Sequence, residues 1–160
     1  MRTMDQWFHE YGLSHQNPTN KLIHWICVPL IFFSITGLLA SIPAGGLQQL
    51  FPAPVQPYIH FGTVVLLLGL LFYLRLSFTM FLGMALVCAA VLWAVHAVEA
   101  AFDTPLWLIC LVVFVLAWVG QFYGHRVEGK KPSFLKDLQF LLVGPGWLLG
   151  FIYRKLGIPY

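Results

Sequence analysis

An all-α integral membrane fold is predicted by three features of this 160-residue chain. Its composition is 59% hydrophobic and only 9% charged, whereas a soluble domain carries about 25% charged residues. Residues 22–74 contain no Asp, Glu, Lys or Arg. Two further uncharged runs follow, one bounded by Arg75 and Glu99 and the other by Asp103 and Arg126. The length suits one domain, so residues 1–160 are read as a single membrane domain with no separate soluble catalytic unit.

The opening segment combines Trp7 and Phe8 with Asp5, His9 and Glu10, the pattern of an amphipathic helix lying on lipid headgroups. These charges and the polar run at residues 14–20 are unlike a cleaved signal peptide, so the amino terminus is expected to be retained. A spanning helix needs about 20 apolar residues, and a charge at the bilayer centre costs about 2.5–3.5 kcal/mol. The Pro and Gly cluster at residues 43–57 divides the first uncharged stretch into helices at about 22–42 and 58–74. Third and fourth spans are expected at about 77–98 and 104–123. The last apolar stretch, 138–153, is short for a crossing and carries Gly144, Pro145 and Gly146 in its middle. It is therefore read as a broken re-entrant or interfacial segment.

With the amino terminus in the cytoplasm, four crossings place all nine Lys and Arg residues inside and Glu99 and Asp103 outside, as the positive-inside rule requires. Both termini are thus expected to be cytoplasmic, in an inner membrane if the source is bacterial and in the endoplasmic reticulum if it is eukaryotic. The same map puts His9, His15, His24 and His125 at the inner boundary and His60 and His96 near the outer one. About 30 Å of hydrocarbon separates the two sets, too far to share one ion. The net charge of +3 is scattered through short loops, which points to membrane lipid or an acidic substrate rather than nucleic acid. Cys27, Cys88 and Cys110 fall inside spans without metal or disulfide spacing and read as packing residues. No feature specifies an oligomeric state.

Chemistry concentrates in two segments. In YGLSHQNPTNKLIH, residues 11–24, Asn17 precedes Pro18 and should form a turn, after which Thr19 or Asn20 can cap the first span. That turn is what lets His15 and His24 aim at one point, because nine residues apart on a continuous helix they would face opposite sides. In QFYGHRVEGKKP, residues 121–132, the residues Gln121, His125 and Glu128 share one face if the fourth helix continues that far. Neutral imidazole suits divalent iron or zinc. His15, His24 and His125 are therefore the candidate metal ligands and catalytic residues. Gln121 and Glu128 are candidates to orient them or to ligate directly, and Asp137 lies nearby in sequence. His9 reads instead as part of the interfacial helix.

SHQNPTNKLIHWICVP and QFYGHRVEGKKPSFLKDL resemble the two signatures of the 2-hydroxy fatty acid dioxygenase (Mpo-type) family, the second being a Gly-His followed by Glu, a basic pair and Pro. The resemblance covers both ends of the chain. It implies a small multi-span membrane enzyme that uses iron(II), Fe(2+), and dioxygen to convert a long-chain 2-hydroxy fatty acid to the acid one carbon shorter. It carries over to His15, Asn17, Asn20, His24, His125 and Glu128; with Gln121, taken from its place on the His125 face, Asn17, Asn20 and Glu128 are the expected supports of the cofactor. Lys136 and Asp137 stand where the pattern has Asp-Asn. A 2-hydroxy carboxylate offers a hydroxyl and a carboxylate oxygen as a chelating pair, so no second organic cosubstrate is expected. Arg126, Lys130 and Lys131 are candidates for attracting the carboxylate.

The competing reading is a non-enzymatic membrane scaffold or lipid-binding protein, which would purify without stoichiometric iron. A di-iron desaturase would need more histidines on one face than this chain has. A transporter would be expected to place an ionisable residue near mid-membrane, and here such residues lie at span ends.

Overall fold

The computed structural model describes residues 3–129 and 140–160, and among the described residues there is no strand. The elements are α1 (Met4–Gly12), α2 (Pro18–Ala40), the single turn α3 (Gly45–Gln48), a 3-10 helix (Ala53–Tyr58), α4 (Phe61–Leu76), α5 (Phe78–Ala101), α6 (Leu106–Val127) and α7 (Val143–Leu156). The helices α2, α5 and α6, with 23, 24 and 22 residues, are long and apolar enough to cross a membrane. The apolar α4 has 16 residues, about 24 Å at about 1.5 Å per residue. The four helices sit where the uncharged runs put them.

Asn17, rather than Thr19 or Asn20, caps α2. Its backbone is extended and its side chain accepts from the Thr19 N–H at 2.8 Å. Pro18 takes the first helical position, where a missing N–H costs nothing and φ is already preset. A cap at Thr19 or Asn20 would leave that proline outside the helix.

Helices α2 and α6 run antiparallel in intimate contact. A Cβ added at Gly37 or Gly120 would collide with the sulfur of Cys110 or Cys27, and one at Gly124 would collide with Asn20 Oδ1. Gly120 and Gly124 form a GxxxG pair, the small-residue spacing that lets two membrane helices approach backbone to backbone. This approach carries the start of α2 to the end of α6, and so brings His24 to His125. Interior hydroxyls are returned to their own helix: Thr36 Oγ1 donates to Phe32 O at 2.8 Å and Ser34 Oγ to Ile31 O at 3.0 Å. In an apolar interior these local bonds remove the cost of an unsatisfied polar atom.

The carboxy-terminal segment corrects two expectations. Gly144, Pro145 and Gly146 do not break it, because they occupy the first turn of α7, where N–H groups lack intrahelical partners and proline is tolerated. Nor does α1 lie only on headgroups. It buries Met4, Phe8 and Tyr11, and Phe8 fills the space left open by Gly150 of α7. The Tyr153 hydroxyl donates to Thr79 O at 2.9 Å, which ties α7 to the start of α5, at the same end of the bundle as the start of α2. Tyr73 fixes the entry to α7: its hydroxyl donates to Leu142 O and accepts from Gly146 N.

Candidate metal centre

Three histidines from opposite ends of the chain meet in the interior. His15 lies in the turn between α1 and α2, His24 in the second turn of α2 and His125 in the last turn of α6. They are 2%, 0% and 4% exposed, and one ring nitrogen from each lies within 4.8 Å of the others. The His125 ring centroid is 5.4 Å from that of His15 and 5.2 Å from that of His24. His60 and His96 lie at the far end of the bundle. His60 caps α4, and burial pushes its pKa down while Glu99 opposes that shift. The His96 ring packs on Tyr58 at 5.1 Å. His9 is exposed on α1.

The hydrogen bonds fix the tautomers. His15 Nδ1 lies 2.6 Å from Tyr11 O, and His24 Nδ1 lies 2.9 Å from Asn20 O. A carbonyl oxygen only accepts, so each Nδ1 carries a proton and each ring turns its Nε2 toward the other. Those two Nε2 atoms are 2.9 Å apart. Two lone pairs at that separation repel unless a proton or a metal cation lies between them. A backbone carbonyl on Nδ1, with Nε2 turned to the centre, is the arrangement that orients metal-binding imidazoles. Three such nitrogens, with no carboxylate or thiolate among them, form a donor set that fits divalent iron or zinc.

The turn that presents His15 is held by a clamp from α6. Glu128 caps α6, and Gly129 follows in the left-handed conformation, φ 73°, the usual way to end a helix while redirecting the chain. The Glu128 carboxylate accepts from Gln16 N at 2.7 Å, Asn17 N at 2.9 Å and Asn20 Nδ2 at 3.0 Å. Burial pushes the Glu128 pKa up, but these three donors, with His15 nearby, outweigh it and hold the carboxyl below its ordinary range. Asn20 also donates to Ser14 O at 3.1 Å. Asn17, Asn20 and Glu128 thus face one another and the turn backbone, while Gln121 is buried one turn before His125 and lines a small cavity there. Arg126 is exposed beside His125. Lys130, Lys131, Lys136 and Asp137 lie outside the described residues.

Two aromatic residues complete the site and were not singled out in the sequence. Tyr11 stacks on His15 with centroids 4.2 Å apart and an interplanar angle of 16°. Trp147 of α7 stands 5.4 Å from the His15 ring and 5.1 Å from the Tyr11 ring. Tyr11 sits four residues before His15, the spacing of one helical face, and that spacing was the available signal. Trp147 carried none, because its contact depends on where α7 docks.

Both ends of the chain therefore build one centre, and relatives should match over its whole length. The model of the family described as 2-hydroxy-palmitic acid dioxygenase Mpo1-like matches residues 1–156. The 2-hydroxy-palmitic acid dioxygenase MPO1 of Saccharomyces cerevisiae is 30% identical over 151 residues, spanning 92% of this chain and 78% of the yeast protein. No solved structure matches the chain. A family match that runs unbroken from the turn bearing His15 through the helix end bearing His125 places this chain in the Mpo1-like 2-hydroxy-palmitic acid dioxygenase family.

Proposed function

We propose that this protein is an iron(II)-dependent dioxygenase that shortens long-chain 2-hydroxy fatty acids by one carbon. The observation that carries this reading is the convergence of three buried histidines, His15, His24 and His125, each with a ring nitrogen within 4.8 Å of the others and with the Nε2 atoms of His15 and His24 2.9 Å apart. The yeast relative's name supports the substrate class. His15, His24 and His125 would hold the metal, and Asn17, Asn20 and Glu128 would hold the turn that aims His15. Bound iron(II) supplies a Lewis-acidic, redox-active centre for the 2-hydroxy carboxylate and dioxygen. Tyr11 and Trp147 wall the cluster, and Gln121 offers an amide to a polar headgroup in the adjoining cavity.

The stoichiometry closes without a cosubstrate. The C1–C2 bond breaks, C1 leaves as carbon dioxide, and C2 becomes the new carboxyl carbon. One dioxygen takes up the four electrons lost by C1 and C2, and its two oxygen atoms with the three of the substrate make up the shortened acid, carbon dioxide and one water, so neither 2-oxoglutarate nor an external reductant is needed. With iron(II) and dioxygen, the purified protein should convert 2-hydroxypalmitic acid to the fifteen-carbon acid, read by mass spectrometry. Folded, iron-loaded protein that yields no shortened acid would rule the reading out and favour a lipid-binding scaffold.

The site would face the cytoplasm, because Lys21, Arg75 and Arg126 lie at the ends of α2, α4 and α6 that surround it, and Glu99 and Asp103 lie at the opposite end. Lys155, exposed near the end of α7, reports on this directly. In intact cells, Lys155→Cys should resist a membrane-impermeant maleimide until the membrane is opened, since Cys27, Cys88 and Cys110 are buried. Labelling of intact cells would reverse the orientation.

A further inference from the structure

Two cavities lie in series beside the histidines. The near one is lined by Tyr11, Gln121, Val28 and Ile31, and the far one lies between α2 and α4 against Met84 and Cys88 of α5. Leu141 lines both. Along α2 the order is His24, then Val28 and Ile31 of the near cavity, then Ile35 and Leu39 of the far one. The 15 residues from His24 to Leu39 advance about 22 Å at about 1.5 Å per residue. The acyl chains of one leaflet reach about 15 Å, half the hydrocarbon core, so the path is long enough for a long acyl group.

The far cavity offers nothing to a polar ligand. The Thr36 hydroxyl is bonded back to Phe32 O, and the Tyr73 hydroxyl is taken up by Leu142 O and Gly146 N. Hydrocarbon is the occupant that such walls accept without an unsatisfied group.

We infer that the tail of the 2-hydroxy acid runs from the histidine centre past Leu141 into the cavity between α2 and α4, and that Gly69 and Leu142 determine which chain lengths fit. The inference rests on the function proposed above for the headgroup, but the location of the tail can be tested without turnover. Gly69 lines the far cavity beside Leu142. A Cβ there would sit 3.3 Å from Leu142 Cδ2, the flexible end of a side chain, whereas at Gly62 it would sit 2.7 Å from the Thr36 carbonyl oxygen. A larger residue is therefore sterically admissible at position 69 and not at 62, and from 69 it would fill the far cavity.

The experiment uses the full-length, metal-loaded protein in phosphatidylcholine nanodiscs with 2-hydroxypalmitic acid carrying a diazirine near its terminal methyl. Adducts that unlabelled 2-hydroxypalmitate competes away should map to residues 32–39 and 62–73. Competable adducts confined to other segments would overturn the inference, whether or not the protein turns substrate over. Gly69→Leu should lose those adducts and show kcat/KM for 2-hydroxypalmitate lowered about tenfold or more, while a ten-carbon 2-hydroxy acid is consumed nearly as fast as by the unaltered protein. Equal loss for both chain lengths in a variant with unchanged metal content and unfolding temperature would also overturn it. Absence of any turnover with adducts still at 32–39 and 62–73 would refute the proposed reaction and leave the tail slot supported.

Discussion

His24→Ala should empty the metal centre, the largest single-residue effect expected in this protein. Of the three rings, His24 is the one with no exposure, and it supplies one of the two nitrogens 2.9 Å apart. Loss of a supporting partner typically lowers metal affinity about 10–100-fold, and loss of a direct ligand should exceed that. Metal content of anaerobically purified protein should fall from near stoichiometric to background. A linked readout is thermal unfolding in detergent, because an ion at about 100 times its Kd stabilises the folded state by about 2.7 kcal/mol. Added iron(II) or zinc should raise the midpoint of the unaltered protein and leave that of His24→Ala where it is. His60→Ala and His96→Ala, at the far end of the bundle, should retain the metal. Full metal occupancy in His24→Ala, or loss of metal in His60→Ala, would show that the ion is held elsewhere.

The parts of the fold that were legible in the sequence are those set by local composition. The four apolar helices follow from uncharged runs, and the turn between His15 and His24 follows from Asn17-Pro18, because both constraints act within a few residues. The convergence of His15 with His24 was readable for the same reason. What was not readable depends on partners distant in sequence. Glu128 finds its donors at Gln16, Asn17 and Asn20, more than a hundred residues away, and a carboxylate three residues after a candidate ligand reads equally well as another ligand. The apolar positions Met4, Phe8 and Tyr11 of α1 would suit a lipid surface or a protein groove alike. The notch at Gly150 of α7 decides between them. The Gly-Pro-Gly run looked like a break only because its place within α7 was unknown; in a first turn the same residues cost little.

Glu128→Ala should weaken metal binding about 10–100-fold at about pH 7.5 without unfolding the bundle. The carboxylate touches no described histidine by a hydrogen bond; it acts by fixing the backbone of residues 16 and 17, which follow His15 directly. Glu128→Gln should be nearly as damaging, because its amide would set an NH2 group against donors that all need an acceptor. Glu128→Asp should recover part of the loss. Packing of α2 against α6 runs through Gly37, Gly120 and Gly124, so the unfolding temperature of apoprotein should change far less than metal affinity. The pH dependence has a definite sign. A carboxyl held below its ordinary pKa stabilises the fold fully above that ordinary value, and the contribution fades as pH falls through the lowered one. The clamp's titration is read in apoprotein as an acid-side loss of stability absent from Glu128→Gln. Metal titrations that give Glu128→Ala and the unaltered protein the same affinity would mean that the turn holds His15 in place without the clamp.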